Sequence, residues 1–108
     1  MNHLMLDGNT AALAAHEHRQ DALADADARR SHARQQWISE QIDTATWRDM
    51  STFAEIHEPT NIALMQLGAA VLTGNRYAAE KARVELIGAT RDYLRLKFDN
   101  DNPLEDYL

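Results

Sequence analysis

The sequence predicts an all-α protein: about four helices, with a long N-terminal polar, Ala-rich helix packed on a compact helical hairpin body. Three observations carry this. Strand formers are scarce, with two Val and five Ile, and no run alternates with period two. Ala, Leu, Arg, Gln and Glu, all good helix formers, dominate instead. Only two Pro and four Gly punctuate the 108 residues. That length fits a single helical domain over 1–108. Its core should be thin, because 18 of the 48 hydrophobic residues are Ala and only seven are aromatic.

The first helix is expected over about 10–43. Asp7-Gly8-Asn9 reads as a turn, and Asn9 or Thr10 as N-cap. A helix of ~34 residues would be roughly 51 Å long. Its apolar stripe is Ala12, Ala15, Ala22, Ala26, Ala33 and Trp37, and no large apolar residue stands between Leu23 and Trp37. Such a stripe buries little area and supports only close helix contact. It reads either as a solvated helix held at its ends or as an Ala-lined seam for a partner or a second copy.

A short helix over about 46–57 should follow. Thr46-Trp47-Arg48-Asp49 fits a capping box, and Trp47, Met50, Phe53, Ala54 and Ile56 supply the apolar positions. Pro59 suits a first turn, so a third helix is expected over about 59–73. It is apolar nearly all round, which demands cover on several sides, and Gly68-Ala69-Ala70 would let a neighbouring backbone approach. Gly74 supplies a left-handed cap residue, and Asn75 can cap the next helix. That fourth helix, about 76–98, repeats Ala79, Ala82, Leu86, Ala89, Tyr93 and Leu96, with Val84, Ile87, Leu94 and Phe98 in a neighbouring row. The short link makes the third and fourth helices an antiparallel hairpin. The tail, 99–108, has four acids and no base. It reads as frayed, or as docked through Leu104, Tyr107 and Leu108.

Composition narrows the chemistry. Zero Cys excludes disulfides, thiolate zinc sites and cysteine nucleophiles. A net charge of −6 argues against a phosphate-binding surface. The longest apolar stretch, Ile62 to Leu72, falls short of the ~20 residues that span a membrane. The first eight residues carry no Lys or Arg and do not read as a secretory signal, so a cytoplasmic location is expected.

Five constellations of polar residues stand out. His16 and His18 point about 200° apart on a helix, and His32 lies far along it, so a shared metal ion is not expected. Asp99-Asn100-Asp101-Asn102 starts like a calcium loop, but Pro103 and Leu104 occupy the next positions and no closing Glu follows. Phe53 to Leu67 has helix-turn-helix length, yet the would-be recognition helix offers only Gln66 to read bases. His57, between Glu55 and Glu58 and after Ser51 and Thr52, does not form a triad by spacing. The fifth is charge on the first helix. Glu17, Asp21 and Asp25 lie at i, i+4 and i+8, and Arg29, Arg30 and Arg34 follow, so the helix is acidic and then basic.

These readings point to a non-enzymatic protein without a cofactor or metal that works by binding another protein. Its expected contact residues are Glu17, Asp21, Asp25, Arg29, Arg30, Arg34, Leu104, Tyr107 and Leu108. Self-association through the first helix is a further expectation. By analogy, small acidic helical proteins of this kind serve as adaptors, inhibitors, antitoxins or immunity factors, some of them phage- or mobile-element-encoded blockers of host machinery. The alternatives are a nucleic-acid-associated regulator using Arg29, Arg30 and Arg34, and an enzyme centred on His57.

Overall fold

A computed structural model describes the backbone of residues 2–108 and the side chains of residues 14–108. The elements are α1 (Asn2–Thr44), α2 (Trp47–Ile56), α3 (Glu58–Leu72), α4 (Arg76–Asp101) and a 3-10 turn η1 (Leu104–Tyr107). No strand occurs among the described residues.

Two boundaries differ from expectation. The backbone is helical through Asp7-Gly8-Asn9, so the turn expected there does not form. A single Gly costs a helix only ~1 kcal/mol, Asn and Asp cost less, and no Pro removes a hydrogen bond. The side chains of Asn9, Thr10 and Ala12, expected as caps and seam, lie outside the described residues. At the other end, α4 runs on past Phe98 to Asp101. Pro103 then stops it, because the residue before a proline is pushed off the helical region.

The contacts fall into two compact units. One is Arg34–Asp101; the other is the chain up to Ala33 together with Asn102–Leu108.

In the first unit, local chemistry sets each joint. Thr46 Oγ1 accepts from the Asp49 amide at 3.2 Å, and the Asp49 carboxylate accepts from the Thr46 amide at 2.9 Å. This is the expected capping box, and it starts α2 at Trp47. His57 is extended and serves both as C-cap of α2 and N-cap of α3. Its amide donates to the Phe53 carbonyl, its carbonyl accepts from Asn61, and Pro59 sits in the first turn of α3. After α3 the Asn75 amide reaches back to the Ala70 carbonyl and the Gly74 amide to Val71, a Schellman closure. Gly74 has φ +70°, a backbone that L side chains rarely adopt. Asn75 Oδ1 then accepts from the Ala78 amide and opens α4. The hairpin of α3 and α4 is the most extensive helix contact, and α2 packs mainly on α3.

The core of this unit is a single ridge on α4. Ala82, Leu86, Thr90, Leu94 and Phe98 are buried, at strict i+4 spacing. The expected 3-4 row is only partly inside: Ala82 and Leu86 are buried, Ala79, Ala89 and Tyr93 are half-buried, and Leu96 is exposed; in the neighbouring row Leu94 and Phe98 are buried, Ile87 is half-buried and Val84 is exposed. Four residues turn a helix by about 40° beyond a full circle, so the ridge winds through about 160° from Ala82 to Phe98. That winding lets one helix serve two neighbours. Ala82 shares a cleft with Ala70 of α3, while Phe98 meets Trp37 of α1 with ring centroids 5.7 Å apart. The facing residues are small: Ala54, Ala63 and Ala70 are buried on α2 and α3. Two buried hydroxyls are satisfied, with Thr90 Oγ1 donating to the Leu86 carbonyl at 2.7 Å and Thr60 Oγ1 hydrogen-bonded to His57.

Gly68, expected to admit a close backbone, faces open space: a Cβ there would meet nothing within 4 Å. Ala70, not Gly68, is the residue buried at the close approach.

The two glycines should therefore respond oppositely to Ala. Gly74→Ala forces a left-handed Ala and should cost about 1–2 kcal/mol in urea unfolding. Gly68→Ala should stabilise by about 0.5–1 kcal/mol, because it removes backbone entropy from the unfolded chain without a clash. A destabilised Gly68→Ala would mean that the outer face of α3 is packed against something.

Candidate functional site

The charged residues singled out on α1 divide into two sets. Glu17, Asp21 and Asp25 are exposed, as is every residue from Ala14 to Asp25. Arg29 pairs with Asp25 at 3.2 Å, the i, i+4 relief that the spacing predicts. Beyond that, the arginines turn to the chain's own C-terminal segment. Arg29 donates to the Tyr107 carbonyl, and Arg30 Nε donates to the Asn102 carbonyl at 2.8 Å. Both contacts lie within the second unit.

Ala26, fully buried, shares a helix face with Arg29, Arg30 and Ala33 by i, i+3, i+4, i+7 spacing. This is the part of the expected Ala seam that is covered, whereas Ala15 and Ala22 are exposed. A small side chain between two cations lets the tail backbone come close. Leu104 and Tyr107 are half-buried in that tail, and Leu108 is 63% exposed. The acidic tail is thus docked on the basic half of α1. Both halves of this complement are visible in the sequence, as a basic cluster and as an acidic tail with apolar anchors. Their pairing follows only once the chain has folded.

Arg34 acts in the other unit. Its Nη1 donates to Asp99 Oδ1 at 2.8 Å, with side chains 17% and 32% exposed. The last turn of α4 holds acids and no base. Acids there oppose the helix dipole, and Arg34 supplies the cation that offsets them.

His57 is built into a structural joint. Its Nδ1 lies 2.8 Å from Thr60 Oγ1, and its ring stands 5.6 Å from Tyr93, which also stacks on Phe53 at 5.1 Å. Ser51 and Thr52 donate to the Trp47 and Arg48 carbonyls of their own helix. Neither hydroxyl meets His57; the hydroxyl that does, Thr60 Oγ1, is fully buried. Among the described residues no three His, Cys, Asp or Glu side chains gather as a metal site. No helix among them is long and apolar enough to cross a membrane.

What the first unit does offer is apolar surface. Leu86, Leu94 and Phe98 are its large buried side chains. Trp47, Ile56, Ile62, Met65, Val71, Leu72, Tyr77, Val84 and Leu96 are exposed, Leu72 at 89%. Helix α3 accounts for much of this. It buries Thr60, Ala63 and Ala70, while Ile62, Met65 and Leu72 lie on the opposite side. The cover expected on several sides is present on one, because the neighbouring helices reach α3 through alanines along a single stripe.

A groove of about 780 Å³ opens beside this surface. Its walls are Ile42 near the end of α1, Ala45 and Thr46 of the link, Trp47 and Met50 from the start of α2, Leu67 and Val71 from α3, and Arg83, Leu86, Ile87 and Thr90 from α4. Arg83 is the one charged residue on that wall. Glu80 holds it through two hydrogen bonds, at 2.7 and 3.2 Å, and the guanidinium in turn keeps the Glu80 carboxyl below its ordinary range. A smaller cleft of about 440 Å³ lies between α3 and α4 and is more polar, with Gln66, Lys81 and Glu85 among its walls. Sequence reasoning missed the large groove, since its walls come from four separate helices.

The arginines make distinct predictions. Arg34→Ala should lower stability by about 1–2 kcal/mol, the worth of a half-buried charged hydrogen bond. The double variant Arg29→Ala, Arg30→Ala should instead speed amide exchange in residues 102–108 and leave the melting of residues 34–101 in place. Equal exchange in that variant would mean the tail is held by its apolar residues.

Compared with known proteins, the chain matches no family model, no curated protein and no solved structure.

Proposed function

We propose that this is a non-enzymatic protein that works by binding another protein, and that the outward face of α3 is the contact surface. One observation supports the reading above others: Ile62, Met65 and Leu72 are exposed on the side of α3 opposite its buried stripe. Their spacing, i, i+3 and i+10, keeps them on one face of a helix. Fully burying a large apolar side chain stabilises by about 1.5–3 kcal/mol, so three on one face are enough to anchor a complex. A contiguous apolar face rimmed by polar residues is how a protein-binding surface differs from a scatter of exposed hydrophobics.

The exposed acids Glu17 and Asp21 on α1 add a field that would speed encounter with a basic partner. Arg29, Arg30 and Arg34 are committed to contacts within the chain, which directs the reading to a protein partner rather than a nucleic acid. Inhibitors, antitoxins and immunity-type proteins, including mobile-element-encoded blockers of host machinery, work by covering a surface of a partner protein, and adaptors by bridging one. We place this chain in that class, acting in the cytoplasm.

The test is affinity capture from the native cell with the wild type and with Met65→Glu, Leu72→Glu. Both positions are exposed, so the variant should melt within about 0.5 kcal/mol of the wild type. It should lose the co-purifying protein. Full retention of that protein by a folded variant would reject α3 as the contact face.

A further inference from the structure

We propose that the face of α1 around Arg29 and Arg30 binds a short acidic segment of a partner protein, and that the chain's own residues 102–108 occupy this face as a displaceable strap. The surface is distinct from the α3 face above, and the inference does not rest on that reading.

The structure shows a segment seated on this face. Residues 102–108 and the chain up to Ala33 form one unit. Arg30 Nε donates to the Asn102 carbonyl at 2.8 Å, and Arg29 donates to the Tyr107 carbonyl. The two guanidinium groups thus grip the segment near its two ends. Both acceptors are main-chain atoms. A grip on the backbone supplies affinity for an extended or turned segment, and side-chain anchors supply the selection. Here the anchors are Leu104 and Tyr107, which are half-buried, whereas Glu105, Asp106 and Leu108 are exposed.

The hold is light. Leu104–Tyr107 is a single 3-10 turn with no buried residue, whereas α4 buries Leu94 and Phe98. Segments with few buried contacts open at little cost. Arg29 is 56% exposed even with the strap in place, so an outside segment can reach it. Only Asn102 and Pro103 separate α4 from the turn. A ligand on a short tether acts at an effective concentration on the order of mM. The strap therefore sets a threshold, and an outside segment must bind better than the strap does.

Charge decides what binds better. A guanidinium makes its strongest contacts with a carboxylate, through opposite charge and two parallel N–H···O bonds. The strap offers Arg29 and Arg30 neutral carbonyls and turns its own acids, Glu105 and Asp106, to solvent. An outside segment with the same kind of anchors, and with a carboxylate where the strap has a carbonyl, gains what the strap lacks. The strap is thus a template for the ligand: acidic, short, and carrying a Leu and an aromatic side chain.

The probe is a fluorescein-labelled, C-terminally amidated peptide of residues 101–108, followed by fluorescence anisotropy. The receptor is the full chain, as wild type and as Leu104→Ser, Tyr107→Ser. Neither position lies in the unit Arg34–Asp101, so that unit should melt as in the wild type. With its strap unanchored, the variant should bind the peptide at least tenfold more tightly than the wild type does, because the tethered competitor is gone. Adding Arg29→Ala, Arg30→Ala should abolish binding. A peptide with Glu105→Gln, Asp106→Asn should bind several-fold more weakly. No binding by the variant at ~1 mM, the scale of a tethered ligand, overturns the proposal. So does equal affinity in variant and wild type, affinity that survives the loss of both arginines, or affinity that the neutral peptide keeps. An oligonucleotide bound more tightly than the peptide rejects a protein segment as the ligand. A wild-type dimer that Arg29→Ala, Arg30→Ala splits makes a second copy the occupant and rejects a foreign one. Met65→Glu, Leu72→Glu should leave peptide binding in place, and a loss there overturns the assignment to α1.

Discussion

The winding ridge of α4 is the constraint on which residues 34–101 depend. A straight stripe at 3-4 spacing would face one neighbour only. A ridge at i+4 turns steadily around its helix, so Ala82 at one end packs toward α3 and Phe98 at the other meets Trp37 of α1. One 26-residue helix thereby holds its hairpin partner and the end of α1 together. The two polar members of the buried set, Thr60 and Thr90, fit because each satisfies its hydroxyl nearby, Thr90 on its own helix and Thr60 on His57. The alanines opposite the ridge let the helices approach, but they bring little apolar area with them.

That poverty of buried area has a direct consequence on the surface. Small residues occupy the contacts, so many of the large ones are left outside. Helix α3 buries two alanines and a threonine and exposes Ile62, Met65, Val71 and Leu72. The chain therefore combines a thin interior with sticky faces. The groove beside Trp47 has the same origin. Helix α2 leans on α3 rather than α4, and the space left beside α4 is lined by the ends of other helices.

Charge is handled more economically than composition suggests. The basic half of α1 and the acidic C-terminal segment each look like interaction surfaces when read alone. In the folded chain they answer each other: Arg29 and Arg30 hold the tail backbone, and Arg34 offsets the acids that end α4. His57 is likewise absorbed into structure, as the extended residue that ends one helix and starts the next with its ring against Thr60 and Tyr93. What remains turned outward on α1 is the acidic stretch with Glu17 and Asp21.

Read alone, the sequence settles the helical class, the capping box at Thr46, the left-handed Gly74, the Asn75 cap and the α3–α4 hairpin. Each depends on residues within a few positions of one another, and local backbone energetics decide it. It also showed the Asp25–Arg29 pair, which helix geometry alone places in reach. Tertiary structure decided the rest. Which members of two similar apolar rows α4 buries depends on the angle at which other helices cross it: Ala82 and Leu86 come from one row, Leu94 and Phe98 from the other. The docking of the tail joins residues more than 70 positions apart. The groove exists only where the walls of four helices fail to meet. A period in the sequence says that a helix has a face; only the neighbours that arrive decide which part of that face is covered and which is left for something else.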